Sequence, residues 1–371
     1  RGASIANYTH YETPLGTVDI AAIAADLRRE KVIANNPKAH EKEHSVEVQL
    51  PFLQVVLKNF SLVPIVTGDV EPEALADAII KHMGEHTLIV ASSDLSHYHP
   101  YDEAVTLDRN CLDAFENLSM EKMEGCELCG RVPVLTLMWI AKKLNWMPSV
   151  LLYKNSGDVV GSKESRIVGY SSVAFYKLDE RQKKFLLDVA RRTLEAYLGE
   201  NKTLEPLTED SLLKRERGAF VTLEKHGELR GCIGHILPVQ PLYLDVRDNA
   251  INAAVHDPRF QPVRYEELGD IEIEISALTT PALIKVERPE EYMDAIEIGK
   301  TGLILAKGNN QGVLLPQVPL EQGWDKKTFL EQLCRKAGLP RDCWMDKDTH
   351  IYKYMADIFS ESELLKQSRI S

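Results

Sequence analysis

Leu88, Ile89, Val90 and Ala91 form a short apolar run closed by the small polar pair Ser92-Ser93. Such a run is what a strand in the core of a parallel sheet presents, and it predicts a buried strand here. Helical periodicity surrounds it. Glu71-Pro72 opens a predicted helix with proline at its first position. Leu75, Ala76, Ile79, Ile80 and Met83 make one apolar stripe, and Gly84 is placed to cap the C-terminus. A second helix is predicted from about Glu103 to Leu118, with Ala104, Leu107, Cys111, Leu112 and Phe115 facing inward. A third is predicted over Pro133–Lys143. Strands are predicted near Ser61–Val66, Pro148–Tyr153 and Ile167–Phe175; Pro64 implies an edge position or a bulge in the first. Helices mixed with strands in this way predict an α/β domain over residues 1–176.

The register changes at Tyr176–Leu178. Asp179 is a predicted N-cap, with Gln182 three residues on as in a capping box. Leu186, Val189, Ala190, Thr193, Leu194 and Tyr197 then share one helical face. After the polar stretch Gly199–Thr203 comes a strand, Ala219–Leu223, a turn at Lys225-His226-Gly227-Glu228, and the segment Leu229–His235. Glu272 and Glu274 alternate with Ile271, Ile273 and Ile275, so both carboxylates lie on one strand face, in solvent or in a cleft. Trp324 and Trp344 are expected to anchor a core. Residues 178–371 are therefore a second domain.

Composition narrows the function classes. The chain has 371 residues and is 44% hydrophobic, enough for two cores. No apolar run approaches the ~18–20 residues that span a bilayer. The formal net charge is −12, which disfavours generic nucleic-acid binding because phosphates repel an acidic chain. Six cysteines are too sparse for a disulfide scaffold. A cytoplasmic location is the expectation.

The candidate chemistry lies beyond the Leu88–Ala91 run. Asp94, His97 and His99 fall within six residues, where ligands bind in open α/β sheets. A carboxylate and two imidazoles there point to metal-assisted or acid/base chemistry. A polar loop whose histidines cap carbonyls is the alternative. Cys126-x-x-Cys129 has no second Cys pair at zinc-site spacing. It reads as a thiolate ligand at Cys129 with Cys126 as a neighbour, or as a redox pair. In the second half, Arg230 offers a planar fork for carboxylate or phosphate. Cys232 would be a nucleophile if its pKa were lowered, and His235 and His256 would serve as bases. The alternative is a hairpin strand with a bulge and a buried Cys232.

The blocks EHSVEVQLPFL, SSDLSH, CG and VGYSSVAF, in that order, resemble the Memo family, also called AmmeMemoRadiSam system protein B. The resemblance implies the fold of class III extradiol dioxygenases and a mononuclear divalent metal, iron before others. It assigns a metal ligand to Cys129 and the acidic and imidazole groups beside the metal to Asp94 and His97, with His97 as acid/base. The family's PHAGY-type and GPSHH-type blocks, each carrying a histidine ligand, do not occur here. The expectation is a domain that starts after them and binds metal weakly. His44 is expected either near the pocket or as a cap for a helix beginning at Ser45.

LRGCIG, DPRF and GWD…FL…KAGL…W resemble the AMMECR-type domain, AmmeMemoRadiSam system protein A, over about Leu178–Phe359. This implies an α+β fold whose signature lines a cleft, with Arg230, Cys232 and His235 on its wall as substrate- or partner-binding residues. Together the two resemblances imply a metal-dependent, dioxygenase-like oxidoreductase fused to a binding domain. They also imply a radical SAM protein as partner and a small-molecule or macromolecular substrate. A non-catalytic metal-binding or adaptor protein is the alternative, since the site has Cys where the related dioxygenases have Glu.

Overall fold

A computed structural model describes residues 2–84, 86–161, 163 and 166–367. It divides into two compact units, Arg1–Tyr176 and Lys177–Ser371.

In the first unit, β1 (Ala3–Ser4) is flanked by two short strands. It runs parallel to β4 (Ile33–Ala34) and antiparallel to β5 (Val66–Thr67). Between them, β2 (His10–Thr13) and β3 (Gly16–Asp19) form a hairpin, and α1 (Ala24–Leu27) is a single turn. α2 (Leu50–Val56) and α3 (Pro72–Ile80) follow. Ile5, Leu27, Ile33 and Leu75 form one small core, with Ile79 packed against it. The α3 helix starts at the proline as expected but stops at Ile80, capped at Lys81. Gly84 instead donates its N–H to Thr87 Oγ1, and the helix stops before the last apolar position of the stripe, Met83. The Ser61–Val66 strand shrinks to Val66–Thr67, because Pro64 has no N–H to give a ladder.

A three-stranded antiparallel sheet carries the rest of this unit. Its order is β6 (His97–His99), β8 (Ile167–Tyr176), β7 (Met147–Asn155). α4 (Tyr101–Glu116) and α5 (Arg131–Leu144) lie near their expected positions, and α6 (Ser156–Val160) links β7 to β8. The buried strand expected at Leu88–Ala91 does not form. Leu88 is 65% and Val90 49% exposed. Among the described residues no strand pairs with this run, and apolar content alone cannot supply the missing ladder.

The second unit is α+β, as expected. Its first sheet has the order β10 (Glu228–Gly234), β9 (Ala219–Lys225), β11 (Ile271–Leu278), β16 (Ala356–Ser360). A second has the order β12 (Ala282–Leu283), β15 (His350–Tyr354), β13 (Gly302–Lys307), β14 (Asn310–Leu314). All pairs are antiparallel. α7 (Glu180–Glu200) begins with the reciprocal Asp179–Gln182 capping box. With α8 (Leu242–Val255) it covers the face of the first sheet that presents Ala219, Val221, Leu223, Ile273 and Ile275. The short α9 (Val318–Glu321) precedes α10 (Lys326–Lys336), which fills the second core through Phe329, Leu330 and Leu333. Trp344 is buried there and Trp324 packs on its edge. Cys334 and Cys343 form a disulfide. The short α11 (Glu361–Gln367) follows β16.

Candidate metal centre and signature strand

The first site is assembled from two loops. After Ala91 the chain runs against β8 and leads into β6: Leu95 N–H donates to Gly169 O and Gly169 N–H donates to Ser96 O. Asp108 of α4, fully buried, fixes this contact. It accepts the Ser96 amide at 2.9 Å and the Tyr153 hydroxyl at 2.8 Å. A Cβ at position 169 would overlap its carboxylate, so only glycine fits. The second loop arrives before α5. Gly130 lies against Ser92, where a Cβ would stand 2.5 Å from the Ser92 carbonyl. Gly130 N–H donates to Ser93 Oγ at 2.9 Å.

This close approach brings Cys129 onto the SSDLSH loop. Asp94 N–H donates to Cys129 Sγ at 3.1 Å, and Ser93 Oγ lies 3.7 Å from the same sulfur. His97 Nε2 is 3.7 Å from Asp94 Oδ2. One ligand atom from each of Asp94, His97 and Cys129 lies within 4.8 Å of the others. A thiol, a carboxylate and an imidazole at this separation can close on one divalent ion, whose bonds run ~2.0–2.3 Å. Metal and donor set therefore fit.

Glu127 organises the imidazoles. Its Oε1 accepts the His97 N–H at 2.9 Å and its Oε2 faces His99 Nε2 at 2.8 Å. The His97 amide and the His99 ring hold Glu127 below the usual carboxylate range, and Glu127 raises His99. His99 is thus taken up by Glu127 and does not join the cluster. Between the two histidines Tyr98 sits at φ 62, a conformation disfavoured for a bulky residue, at an irregularity in the β6–β8 pairing. His44 lies outside the cluster. It is exposed and pairs with Glu47 Oε1 at 2.7 Å. It is not a helix cap either, because α2 starts only at Leu50.

In the second unit the signature residues separate. β10 pairs with β9 across a bulge between Leu229 and Gly231. Arg230 turns to the protein: its fork engages Glu267 at 3.1 Å and the carbonyls of Gln261 and Pro262. This corrects its expected role as a free carboxylate or phosphate fork. Cys232 faces the other way from α8. It accepts from Thr222 Oγ1 at 3.3 Å, and burial pushes its thiol up. The pKa drop needed for a nucleophile is therefore missing. Its amide is held by Asp257, the fixed end of an Asp257–Arg259 pair.

His235 lies on the α8 side. Its Nδ1 is 2.6 Å from Oδ1 of the fully buried Asp245, while 42% of the imidazole side chain is exposed. Asp245 Oδ2 accepts the Ala219 and Asn249 N–H groups. Arg230, Cys232 and His235 thus do not share one wall, because the bulge and strand alternation send them to different faces. His256 is held by Asn252 at 3.0 Å. Glu272 and Glu274 share the face of Cys232 and Thr222; burial, then the charges of Glu224, Glu363, Glu321 and Glu272, push Glu274 up to about 7.

Comparison with known proteins decides the families. A Memo-like protein model matches residues 1–174, and an AMMECR1 model matches residues 187–359. The chain joins a Memo-like domain to an AMMECR1 domain. A protein of Thermococcus onnurineus is 48% identical over 193 residues, covering 50% of this chain and 93% of the relative. One of Pyrococcus abyssi is 47% identical over 191 residues, covering 50% and 93%. The crystal structure of an uncharacterized protein from Pyrococcus horikoshii has 45% identity and a TM-score of 0.48, covering 50% of this chain and 94% of that one. Among the described residues no helix is long and apolar enough to cross a membrane.

Sequence reasoning missed Glu127 and Asp108 in the Memo-like domain and Asp245 in the AMMECR1 domain. Asp108 and Asp245 carried a signal, since each is a carboxylate inside an otherwise inward helical face. Glu127 carried only its place between Cys126 and Cys129.

Proposed function

We propose that the Memo-like domain is a metal-dependent, dioxygenase-like oxidoreductase centre, with Cys129 as thiolate ligand and Asp94 and His97 beside the ion. The observation that carries this is the convergence of the three ligand atoms within 4.8 Å. A mononuclear divalent metal, iron before others, would supply Lewis acidity and an open coordination position there. The Asp94 amide fixes the sulfur, and Glu127 fixes the backbone from which the His97 ring projects. His97 Nε2, facing the Asp94 carboxylate, is placed to hold or move a proton.

The AMMECR1 domain serves as the binding half, for a small molecule or a macromolecule. His235, oriented by buried Asp245, is its most accessible polar contact in the signature. Fusion keeps that half at high effective concentration for the metal centre, and a radical SAM protein is the proposed partner. Exposure of Cys129 favours the second reading, a metal-holding adaptor without turnover, because an accessible thiolate is oxidisable.

Anaerobic titration with Co(II) tests the centre. The full chain should develop a thiolate-to-cobalt charge-transfer band. Cys129→Ser should lose the band and bind ~10–100-fold more weakly. Equal binding by both proteins would sink the assignment. Oxygen consumption with aromatic diols then separates the oxidoreductase from the adaptor.

A further inference from the structure

Beside the candidate metal centre a guanidinium is stacked on an aromatic ring. β8 runs against β6 with His97 opposite Val168. Ile167 and Gly169 are buried, while Val168 and Tyr170 alternate to the other face. Just before this strand the exposed Arg166 lays its guanidinium over the Tyr98 ring, with Cζ 5.2 Å from the centroid. The Tyr98 ring meets the His97 imidazole edge-on, at 5.8 Å between centroids and 69° between planes. One aromatic ring thus touches both the cation and the proposed acid/base residue. That ring belongs to a residue 63% exposed. Tyr98 and Arg166 both have positive φ, 62 and 79. Non-glycine residues rarely hold this conformation, and those that do collect where a ligand is contacted. The stack occupies the face of the Arg166 guanidinium and leaves its edge open. Among the described residues no carboxylate or carbonyl pairs with that edge. A planar cation held by its face presents its N–H fork to a planar anion. Arg230 is the contrast, since Glu267 already fills its fork.

We propose that Arg166 and Tyr98 form an anion clamp that recognises the carboxylate of an aromatic acid, with the acid's ring lying along Val168 toward His97. The purpose of the clamp rests on the proposed metal centre, because it would aim the far side of the ring at Asp94, His97 and Cys129. The span is suitable. From Arg166 to Val168, which stands opposite His97, is two residues of strand, about 6–7 Å. A benzene ring bearing one carboxylate bridges that length. The carboxylate accepts two N–H groups from the fork, and charge-assisted bonds of this kind are roughly twice as strong as neutral ones. The ring adds apolar contact with Tyr98 and Val168. The Asp94 carboxylate and the net charge of −12 oppose an anion here, so binding should depend on the Arg166 guanidinium.

The test uses the full chain and requires no metal. Benzoate is titrated into the protein and followed by NMR, through saturation transfer to the ligand and through the ring protons of His97, assigned from their loss in His97→Gln. Binding should saturate and shift the His97 ring with the same midpoint. Benzamide, which has the same shape without the charge, and acetate, which lacks the ring, should each bind at least tenfold more weakly. Arg166→Gln should weaken benzoate at least tenfold and leave benzamide unchanged. Arg166→Lys, which keeps the charge and loses the fork, should fall between. Tyr98→Leu should weaken benzoate as well, through the lost stack. Equal binding of benzoate and benzamide, unchanged benzoate binding by Arg166→Gln, or binding that leaves the His97 ring unmoved would overturn the proposal. Cobalt titration keeps the clamp separate from the metal centre. A cobalt band without benzoate binding ends the clamp alone, and benzoate binding without the band ends the centre alone.

Discussion

Glu127 Oε1 accepts the backbone N–H of His97 at 2.9 Å, and through this bond the loop before α5 sets the position of the imidazole beside Cys129. The other oxygen of the carboxylate holds His99. A residue outside the candidate ligand set therefore orders both histidines.

Glu127→Gln keeps an acceptor for the His97 amide but removes the charge facing His99. The His99 titration, followed by NMR of the ring protons, should fall back toward the ordinary 6.5. The pair's stabilisation has two limits. A raised His99 contributes below 6.5 and loses its effect as pH rises through the raised value. A lowered Glu127 contributes above 4.5 and loses its effect as pH falls through the lowered value. The difference in Tm between the two proteins should thus be largest between about pH 4.5 and 6.5, the window in which both groups contribute.

Gly169→Ala places a methyl group into the Asp108 carboxylate. Asp108 must then release the Ser96 amide or the Tyr153 hydroxyl inside the domain. A destabilisation of about 2–4 kcal/mol is expected in urea unfolding of the Memo-like domain. A neutral substitution would mean that the SSDLSH loop is not held rigidly against β8.

Arg230→Ala should act on stability before binding. The substitution strips Glu267 of its bidentate partner and leaves it Lys225 and the Arg264 amide, each at 3.1 Å. The expected loss is about 1–3 kcal/mol in urea unfolding. Unchanged stability would return Arg230 to the role of a free ligand fork.

Glu274 gives the AMMECR1 domain a pH response of opposite sign to Glu127. Its folded-state value of about 7 lies above the ordinary 4.5, so the folded domain holds this proton longer than the unfolded chain. Stability is full below 4.5 and declines as pH rises toward about 7. Glu274→Gln should remove that decline, raising Tm at pH 8 and leaving it nearly unchanged at pH 4. Parallel Tm–pH curves for the two proteins would show that the carboxyl titrates normally.

The Memo-like and AMMECR1 halves, the change of domain near Tyr176, and the elements set by local chemistry are legible from the residues alone. Proline opens α3, the Asp179–Gln182 box opens α7, and the His226-Gly227 turn joins β9 to β10. Each depends on residues a few positions apart, so periodicity and turn chemistry suffice to read them. The approach of Cys129 to Asp94 was also legible, through the motif blocks that carry both. The rest depends on packing between distant segments. Leu88–Ala91 has the composition of a buried strand, but a strand exists only where another chain segment completes its hydrogen bonds. Arg230 reads as a ligand fork until Glu267, 37 residues away, occupies it. In each case the deciding group is distant in sequence, and only packing brings it within hydrogen-bond reach.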